Sequence, residues 1–492
     1  MSGSDRQGES PRKVAIVGGG LAGMAAAQAL ATAAPDLQVT LFESRRANGG
    51  RAGSFVDPAT GDEVDYCQHV AMGCCTNLLG LLADCGLADA WTRYDSLTFH
   101  HPDFEPSPFA ASRWLPAPLH LLPTLGRLRY LTSQQKRQIR LGTWLLMRES
   151  SRRLATLTAA EWLRDAGQSD ATIRDYWDVV LVSALGEASQ AVAMSAARKV
   201  FVDGFLATRG ASDICVPRLS LGELFGKRLP DSLRQQGVAI RNRTAVRSVG
   251  LKPETSEPGG LVLELADGPI GFDQVVMAVP WHQVGKILEP RLVAVAGLRP
   301  QEWGAFPASP ISGVHLWFDR PIAAAPHAVL VGTLAQWMFR RPTEPPLTGA
   351  NRSGHYYQVV ISASRSVRQI ASDEVVRQVV EDLGVAFPAA RTAQLLAARV
   401  VTDPQAVFSI SPAVEAARPE AATRFASLHL AGDFVRTGWP ATMEGAVISG
   451  RLAAASVLRA LGRPPCPVRP GLPWGMLARC LIRREAAEGS VV

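Results

Sequence analysis

Close to the N-terminus the chain reads Gly18-Gly19-Gly20-Leu21-Ala22-Gly23, and the next apolar run ends on Glu43. Gly18 permits a tight turn, Gly20 lets a pyrophosphate approach the main chain, and Gly23 lets a helix lie close against a strand. A helix opening at Leu21 and Ala22 offers unpaired N–H groups and the positive end of its dipole to an anion. Glu43 can accept hydrogen bonds from a ribose with a free 2′-hydroxyl, and it repels a 2′-phosphate. Glycine-rich turns alone are common. A strand before, a helix after and an acid closing the second strand turn this one into a dinucleotide site.

Other residues say which dinucleotide. After Glu43 the chain continues to Gly49-Gly50-Arg51, where a second flexible turn can bring Gly50 and Arg51 back toward the diphosphate. Far along the sequence, Leu430-Ala431-Gly432-Asp433 ends a short apolar run on glycine and a carboxylate, suited to the ribityl hydroxyls of a flavin. Ala441-Thr442-Met443 then opens a helix whose free N–H groups can face the flavin's pyrimidine oxygen. The plainer use of Asp433 and Thr442 is to cap a turn and a helix. No second G-x-G-x-x-G follows a strand, so one dinucleotide is expected, and the cofactor is expected to be FAD.

These groups need a scaffold. Val14–Val17 reads as a buried parallel strand, Leu21–Ala34 as a helix and Val39–Phe42 as a second strand, together a β-α-β unit. From Thr76 to Arg209 the spacing is helical, as at Ile139, Leu141, Trp144 and Leu145, broken by a Pro-studded apolar stretch from Trp114 to Pro123. Strand-like runs return at 238–240, 261–265 and 275–279. The expected fold class is α/β: a Rossmann-like FAD-binding domain interleaved with a second, α+β substrate-binding domain. The FAD-binding domain takes residues 13–75, 210–285 and 416–462. The substrate-binding domain takes 76–209, with a helical insertion, and 286–415. Residues 1–12 form a flexible arm and 463–492 a C-terminal tail. Val246, in the middle segment, joins the expected cofactor contacts.

Composition agrees. Of 492 residues, 47% are hydrophobic and 19% charged, which excludes general disorder. The net charge is +7, but arginines spread along the chain without a basic block, and nothing specific points to nucleic acid. Seven cysteines, an odd number with no Cys-x-x-Cys, argue against a disulfide framework or structural zinc, and no metal is expected. The polar N-terminus lacks a signal-peptide core and no apolar run is long enough to span a bilayer. A cytoplasmic location follows as the expectation, with peripheral contact at the inner face of the cytoplasmic membrane open. Trp114–Leu125 and the 474–484 stretch are the segments suited to it. In the latter Trp474, Leu477 and Leu481 share a face, either interfacial or docked on the protein.

Glu43…Gly49-Gly50-Arg51 together with Gly432-Asp433…Pro440-Ala441-Thr442-Met443-Glu444-Gly445 resembles the flavin amine oxidase and carotenoid desaturase superfamily. Further blocks resemble, within it, the bacterial hydroxysqualene dehydroxylase family. They include Gln68-His69-Val70-Ala71-Met72, Leu181–Leu185, Asp203-Gly204-Phe205-Leu206, Val314–Arg320, Ala335-Gln336-Trp337 and Val359–Ala363. The resemblance spans roughly residues 13–460 and leaves out the tail. It departs at Asp65-Tyr66-Cys67, where smaller or more polar residues are expected, and at Trp439, where an aliphatic one is.

The resemblance implies reduction of hydroxysqualene to squalene by hydride from reduced FAD, in bacterial squalene and hopanoid synthesis. The partners are a long isoprenoid substrate and an unidentified electron donor. The chemistry needs a general acid and a dry apolar tunnel. His69 is the best-placed catalytic residue, though a buried histidine also serves as ordinary core. Glu187, His315 and Tyr357 are weaker alternatives. Trp114, Leu115, Leu119, Trp177, Phe201 and Phe205 offer tunnel lining or plain core. Three other functions stay open: a carotenoid-type desaturase, a flavin amine oxidase, and a non-catalytic flavin-binding protein. Lys286, the only lysine after Lys252, leaves the amine oxidase little support.

Overall fold

The computed structural model describes residues 11–252, 260–341 and 354–483. Most of the expected N-terminal arm, residues 1–10, and the end of the tail, residues 484–492, lie outside the described residues.

Five short strands form a parallel sheet in the order Ala239–Arg241, Gln38–Phe42, Lys13–Val17, Gln274–Met277, Leu428–Leu430. Its apolar strands are covered on both faces, the usual condition of a parallel sheet. Val14, Ile16 and Val276 point to one face and Ala15, Val17, Val275 and Met277 to the other, the period-two alternation of a strand. On the first face lie two helices, Leu21–Ala33 and Met443–Ala460. They pack very closely: a Cβ on Gly450 would stand 2.2 Å from the Ala22 carbonyl oxygen. The second face carries a three-stranded antiparallel sheet, Ser248–Leu251, Leu261–Leu265 and Gly268–Phe272.

A seven-stranded sheet forms the other large layer. Its order is Leu395–Phe408, Ala308–Phe318, His355–Ile361, Trp337–Arg340, His327–Leu330, Ser96–His101, Phe104–Ala110. Val314, Leu316 and Phe318 turn to the helix Ser372–Ala386 and its Val375, Val379 and Leu383. Elsewhere the sheet packs on a helical layer, where Val329, Val331 and Trp337 meet Tyr176 and Val179.

Two segments pack differently from their sequence texture. The helix Thr76–Asp84 shares its core with the Leu21–Ala33 helix, and the buried Glu444 carboxylate accepts from the N–H groups of Asn77 (2.9 Å) and Leu78 (2.8 Å) at its start. Pro290–Ala296 and Trp303 pack against the small antiparallel sheet. An amphipathic pattern shows that a helix has a buried face but not which neighbour covers it. Along Ser133–Arg148, Ile139 and Leu146 point inward, whereas Leu141, Trp144 and Leu145 stay exposed. The tail's helix, Met476–Leu481, docks on the protein through Ala478 and Ile482, with Trp474 packed against the same core and Leu477 and Leu481 half-buried. Among the described residues, no helix is long and apolar enough to cross a membrane.

Candidate functional site: a glycine cradle and a row of aromatic rings

The six-residue glycine motif joins the strand Lys13–Val17 to the helix that follows, and its glycines divide by what surrounds them. A Cβ on Gly18, whose φ is +116°, would lie 2.5 Å from the Ala278 carbonyl oxygen; one on Gly23 would lie 2.0 Å from that of Gly18. Both positions are therefore needed to assemble the protein itself. A Cβ on Gly20 would meet nothing within 4 Å. That open space lies at the start of the Leu21–Ala33 helix, whose first N–H groups have no intrahelical partner. The second glycine turn closes over it: Gly49 donates its N–H to the Gly19 carbonyl at 2.9 Å, and Gly50, at φ +64°, faces the Gly20 backbone.

Glu43 sits at the end of the neighbouring strand, buried. One carboxylate oxygen accepts from the Gly19 N–H (2.9 Å) and the other from the Arg45 N–H (2.8 Å). A carboxylate has about four acceptor positions, so capacity for ribose hydroxyls remains. Val246 is buried in the same core as Val17 and Phe42, and the turn leading to it pairs the Thr244 N–H with the Glu43 carbonyl at 2.9 Å. Asn48 was not singled out from sequence. It is buried beside Gly19, and neither polar atom of its amide has a protein partner. An orphaned amide next to this N–H-lined cradle fits a polar ligand, and the whole cradle fits the diphosphate and ribose of FAD.

Arg51 and Asp433, brought together from opposite ends of the chain, form an ion pair of 2.6 Å. Arg51 also donates to the Ala406 carbonyl at 2.8 Å and lies over the Trp281 ring. Gly432, at φ +144°, sets the turn before Asp433. Arg418 holds this loop in shape. Its side chain is fully buried and donates to the carbonyls of Asp433 (3.1 Å), Val435 (2.6 Å) and Trp439 (2.8 Å), with Glu415 as counter-ion at 2.9 Å. Nothing local in the sequence marked Arg418 as a loop-holding residue, because the carbonyls it holds lie 15 to 21 positions away. Thr442 caps the Met443–Ala460 helix by accepting from the Gly445 N–H at 3.2 Å; Ala441 is buried beside it and Met443 packs partly buried in the first turn. The capping role of Thr442 leaves its helix N-terminus available to a ligand.

His69 is partly buried near Arg51. Its Nδ1 lies 2.9 Å from the Cys67 carbonyl oxygen. A carbonyl only accepts, so Nδ1 carries the proton and Nε2 is left as an acceptor. Burial lowers the imidazole's pKa, Arg51 lowers it further, and the carbonyl bond only partly offsets them. His69 therefore rests neutral, with no proton on Nε2 to give. The unexpected Asp65-Tyr66-Cys67 sequence has structural work. Asp65, pushed up to about 6 by burial, accepts from the Ser54 hydroxyl (2.6 Å) and the Leu221 N–H (2.8 Å). Burial raises the Cys67 thiol to about 12, and Tyr66 stacks on Phe55. Trp439, the other departure, receives the Lys199 ammonium on its ring at 4.9 Å.

Several separated sequence blocks meet one another in pairs. The Met72 methyl reaches Gly204, the Trp337 indole donates to the Ser183 hydroxyl at 2.9 Å, and the Gln336 amide bonds both ways to the Ser362 backbone (2.8 and 3.1 Å). Tyr176, Phe201, Phe205 and Phe109 follow one another with ring centroids 6.2–6.4 Å apart. Phe205 and Leu119 are half-buried, as lining residues are, and Leu115 is similar.

Other candidates fall away. Glu187 is buried, which alone would raise its pKa. Hydrogen bonds and charge from Arg365, at 2.6 and 2.9 Å, more than offset this and keep it ionised as half of a structural pair. His315 bonds the Tyr356 hydroxyl at 2.8 Å, and burial lowers it to about 4. Tyr357 accepts from the Ile322 N–H at 3.0 Å within the core on the other face of the large sheet. Trp177 is wholly buried and bonded to Gln168, and Trp114 is 92% exposed, so neither lines a tunnel; Phe201 is buried within the aromatic row.

The profile of the family described as flavin containing amine oxidoreductase matches residues 21–458. Similar proteins include the 15-cis-phytoene desaturase of Narcissus pseudonarcissus, 26% identical over 93% of this chain and 82% of that protein. Another is the hydroxysqualene dehydroxylase of Zymomonas mobilis, 26% identical over 89% of this chain and 97% of that protein. Among solved structures, cyclohexylamine oxidase from Brevibacterium oxydans matches with a TM-score of 0.65 and 20% identity, over 92% of this chain and 100% of its own, a likeness of fold. The chain thus belongs to the flavin-containing amine oxidoreductase family and is an FAD-dependent oxidoreductase.

Proposed function

We propose that the enzyme reduces hydroxysqualene to squalene. The observation that carries this reading is the pairwise packing of blocks that resemble hydroxysqualene dehydroxylases: 68–72 meets 203–206 through Met72 and Gly204, and 335–337 meets 181–185 and 359–363 through Trp337–Ser183 and Gln336–Ser362. Two relatives bearing that name, from Zymomonas mobilis and Sinorhizobium fredii, support it. In the reaction the allylic C–O bond breaks, the hydroxyl leaves as water with one added proton, and hydride replaces it at carbon. Reduced FAD supplies the hydride when bound.

The chain's own residues do the rest. Gly20, Gly50, Glu43, Asn48 and the helix start at Leu21 and Ala22 hold the diphosphate and ribose. Arg418 fixes the loop that presents Asp433, with Thr442 and Met443 behind it. The row of aromatic rings keeps water from a cationic substrate. His69 Nε2 can accept the substrate hydroxyl's hydrogen and orient the C–O bond, and it must first gain a proton before it can give one. Peripheral contact with a bilayer, from which so apolar a substrate is drawn, belongs to this reading.

A second reading is carotenoid-type desaturation. The neutral acceptor nitrogen of His69 favours it, because desaturation removes a proton, and phytoene and zeta-carotene desaturases are equally similar in sequence. The test is to give reduced enzyme hydroxysqualene and oxidised enzyme phytoene, and to identify products by mass. Squalene from the first alone supports the proposal; a dehydrogenated polyene from the second alone replaces it.

A further inference from the structure

The described surface exposes few large apolar side chains, and six of them gather on three neighbouring segments. Trp114 (92% exposed) lies in the Pro-rich loop and Leu122 opens the helix Leu122–Arg127. Leu141, Trp144 and Leu145 form the outer face of Ser133–Arg148, and Met476 (85% exposed) begins the tail helix. These segments are joined beneath the surface. Ala117, Met147, Ala478 and Ile482 share one small core. The Arg483 N–H donates to the Met147 carbonyl at 2.8 Å, and the Lys136 ammonium to the Gly126 carbonyl at 2.9 Å. The tail is therefore tied to the face by its buried side, which leaves Met476 outward beside the other apolar residues.

The same segments are the basic part of the molecule. Between Pro106 and Arg148 there are seven Lys or Arg and no Asp or Glu; the tail adds Arg479 and Arg483, whereas its Arg463 and Arg469 are taken up by Asp36 and Asp84. With a net charge of +7 for the whole chain, the remainder is net negative. Arg137, Arg140 and Arg148 stand exposed among the leucines of the one helix, with the Arg148 guanidinium 5.2 Å over the Trp144 ring. Apolar and indole side chains ringed by arginines are what an interfacial helix presents to lipid. Few monomers leave such a patch bare without a partner.

We propose that this face, centred on Leu141, Trp144 and Leu145, docks on a bilayer rich in anionic lipid. A second copy of the chain fits it badly. A symmetric contact would set arginine against arginine with no acid in either segment to pair them. The surface stands on its own residues, and only its purpose, delivery of a lipid-soluble substrate, rests on the function proposed above.

The test uses FAD-loaded full-length protein, floated with vesicles of phosphatidylcholine alone or of phosphatidylcholine with phosphatidylglycerol. Two variants accompany it, Leu141→Ser/Trp144→Ser/Leu145→Ser and Arg137→Gln/Arg140→Gln/Arg148→Gln. All six side chains are exposed, and flavin content and melting temperature verify folding. Wild type is expected to float with the anionic vesicles and to be released by salt. The arginine variant should bind about 100-fold more weakly, at roughly fivefold per basic residue near an anionic surface, and the serine variant should not float. Turnover of detergent-dispersed hydroxysqualene should be unchanged in both variants, and turnover of vesicle-borne substrate should fall. Equal binding to both vesicle types, or variants that float like wild type, overturns the proposal. So does a wild-type dimer in sedimentation that the serine variant splits. Binding that behaves as expected without any hydroxysqualene turnover leaves the surface standing and removes the substrate.

Discussion

Substituting Gly20 by valine separates a ligand-binding glycine from a structural one. The Gly20 backbone, at φ −77° and ψ 179°, suits any L residue. Its Cβ would meet no protein atom within 4 Å, so the apoprotein should fold with an unchanged melting temperature. The valine methyls would fill the space where the diphosphate meets the helix start. Losing two charge-assisted amide bonds there costs about 3–6 kcal/mol at ~1.5–3 kcal/mol each, or more than 100-fold in FAD affinity. Gly23→Ala should do the opposite. Its Cβ would press to 2.0 Å from the Gly18 carbonyl oxygen, so the protein itself loses stability before any question of ligand arises. The assay is the ratio of absorbance at 450 to 280 nm after purification, with melting curves of apoprotein and FAD titration by fluorescence. A Gly20→Val protein that purifies yellow with a full complement of FAD would refute the placement of the diphosphate.

Other expectations follow from the same geometry. Glu43→Ala should weaken FAD by about 1–3 kcal/mol and also lower the apoprotein's melting temperature, because its carboxylate ties Gly19 to Arg45; calorimetry with and without FAD measures both. Arg418→Met should destabilise by about 3–5 kcal/mol, the usual result of breaking a buried charge network, with urea unfolding as the measure. If His69 is the proton donor, kcat/KM should rise toward acid with a midpoint below 6.5, since burial lowers its pKa and the protonated form grows as pH falls. Steady-state rates from pH 5 to 8 check this: the limb should vanish in His69→Gln, and a flat wild-type profile removes the acid role.

The glycine cradle was legible from sequence because its constraints are local: a strand, a turn that needs glycine and a helix follow one another within a few residues. Glu43 and Thr442 were legible because one closes a strand and the other opens a helix, and Arg51 and Asp433 because each directly follows a glycine turn. Arg418 was not, since a buried arginine is recognised only by the distant carbonyls it meets. The tautomer of His69 likewise depends on the Cys67 carbonyl, which spacing cannot reveal. Glu187, His315 and Tyr357 looked available for catalysis until Arg365, Tyr356 and the Ile322 amide took them up. The helical spacing of Ile139, Leu141, Trp144 and Leu145 falls within the helix Ser133–Arg148, yet it could not tell that Leu141, Trp144 and Leu145 face outward. Apolar character signals a wish for burial without naming the partner.

The central claim, that one FAD held by Gly20 and Asp433 delivers hydride to an allylic alcohol, is tested most directly by a single anaerobic turnover. The bound flavin is reduced in the absence of oxygen, hydroxysqualene is added, and the return of absorbance at 450 nm is followed alongside extraction of the product. The account predicts reoxidation with one squalene formed per flavin. A flavin that stays bleached beside intact hydroxysqualene would contradict it.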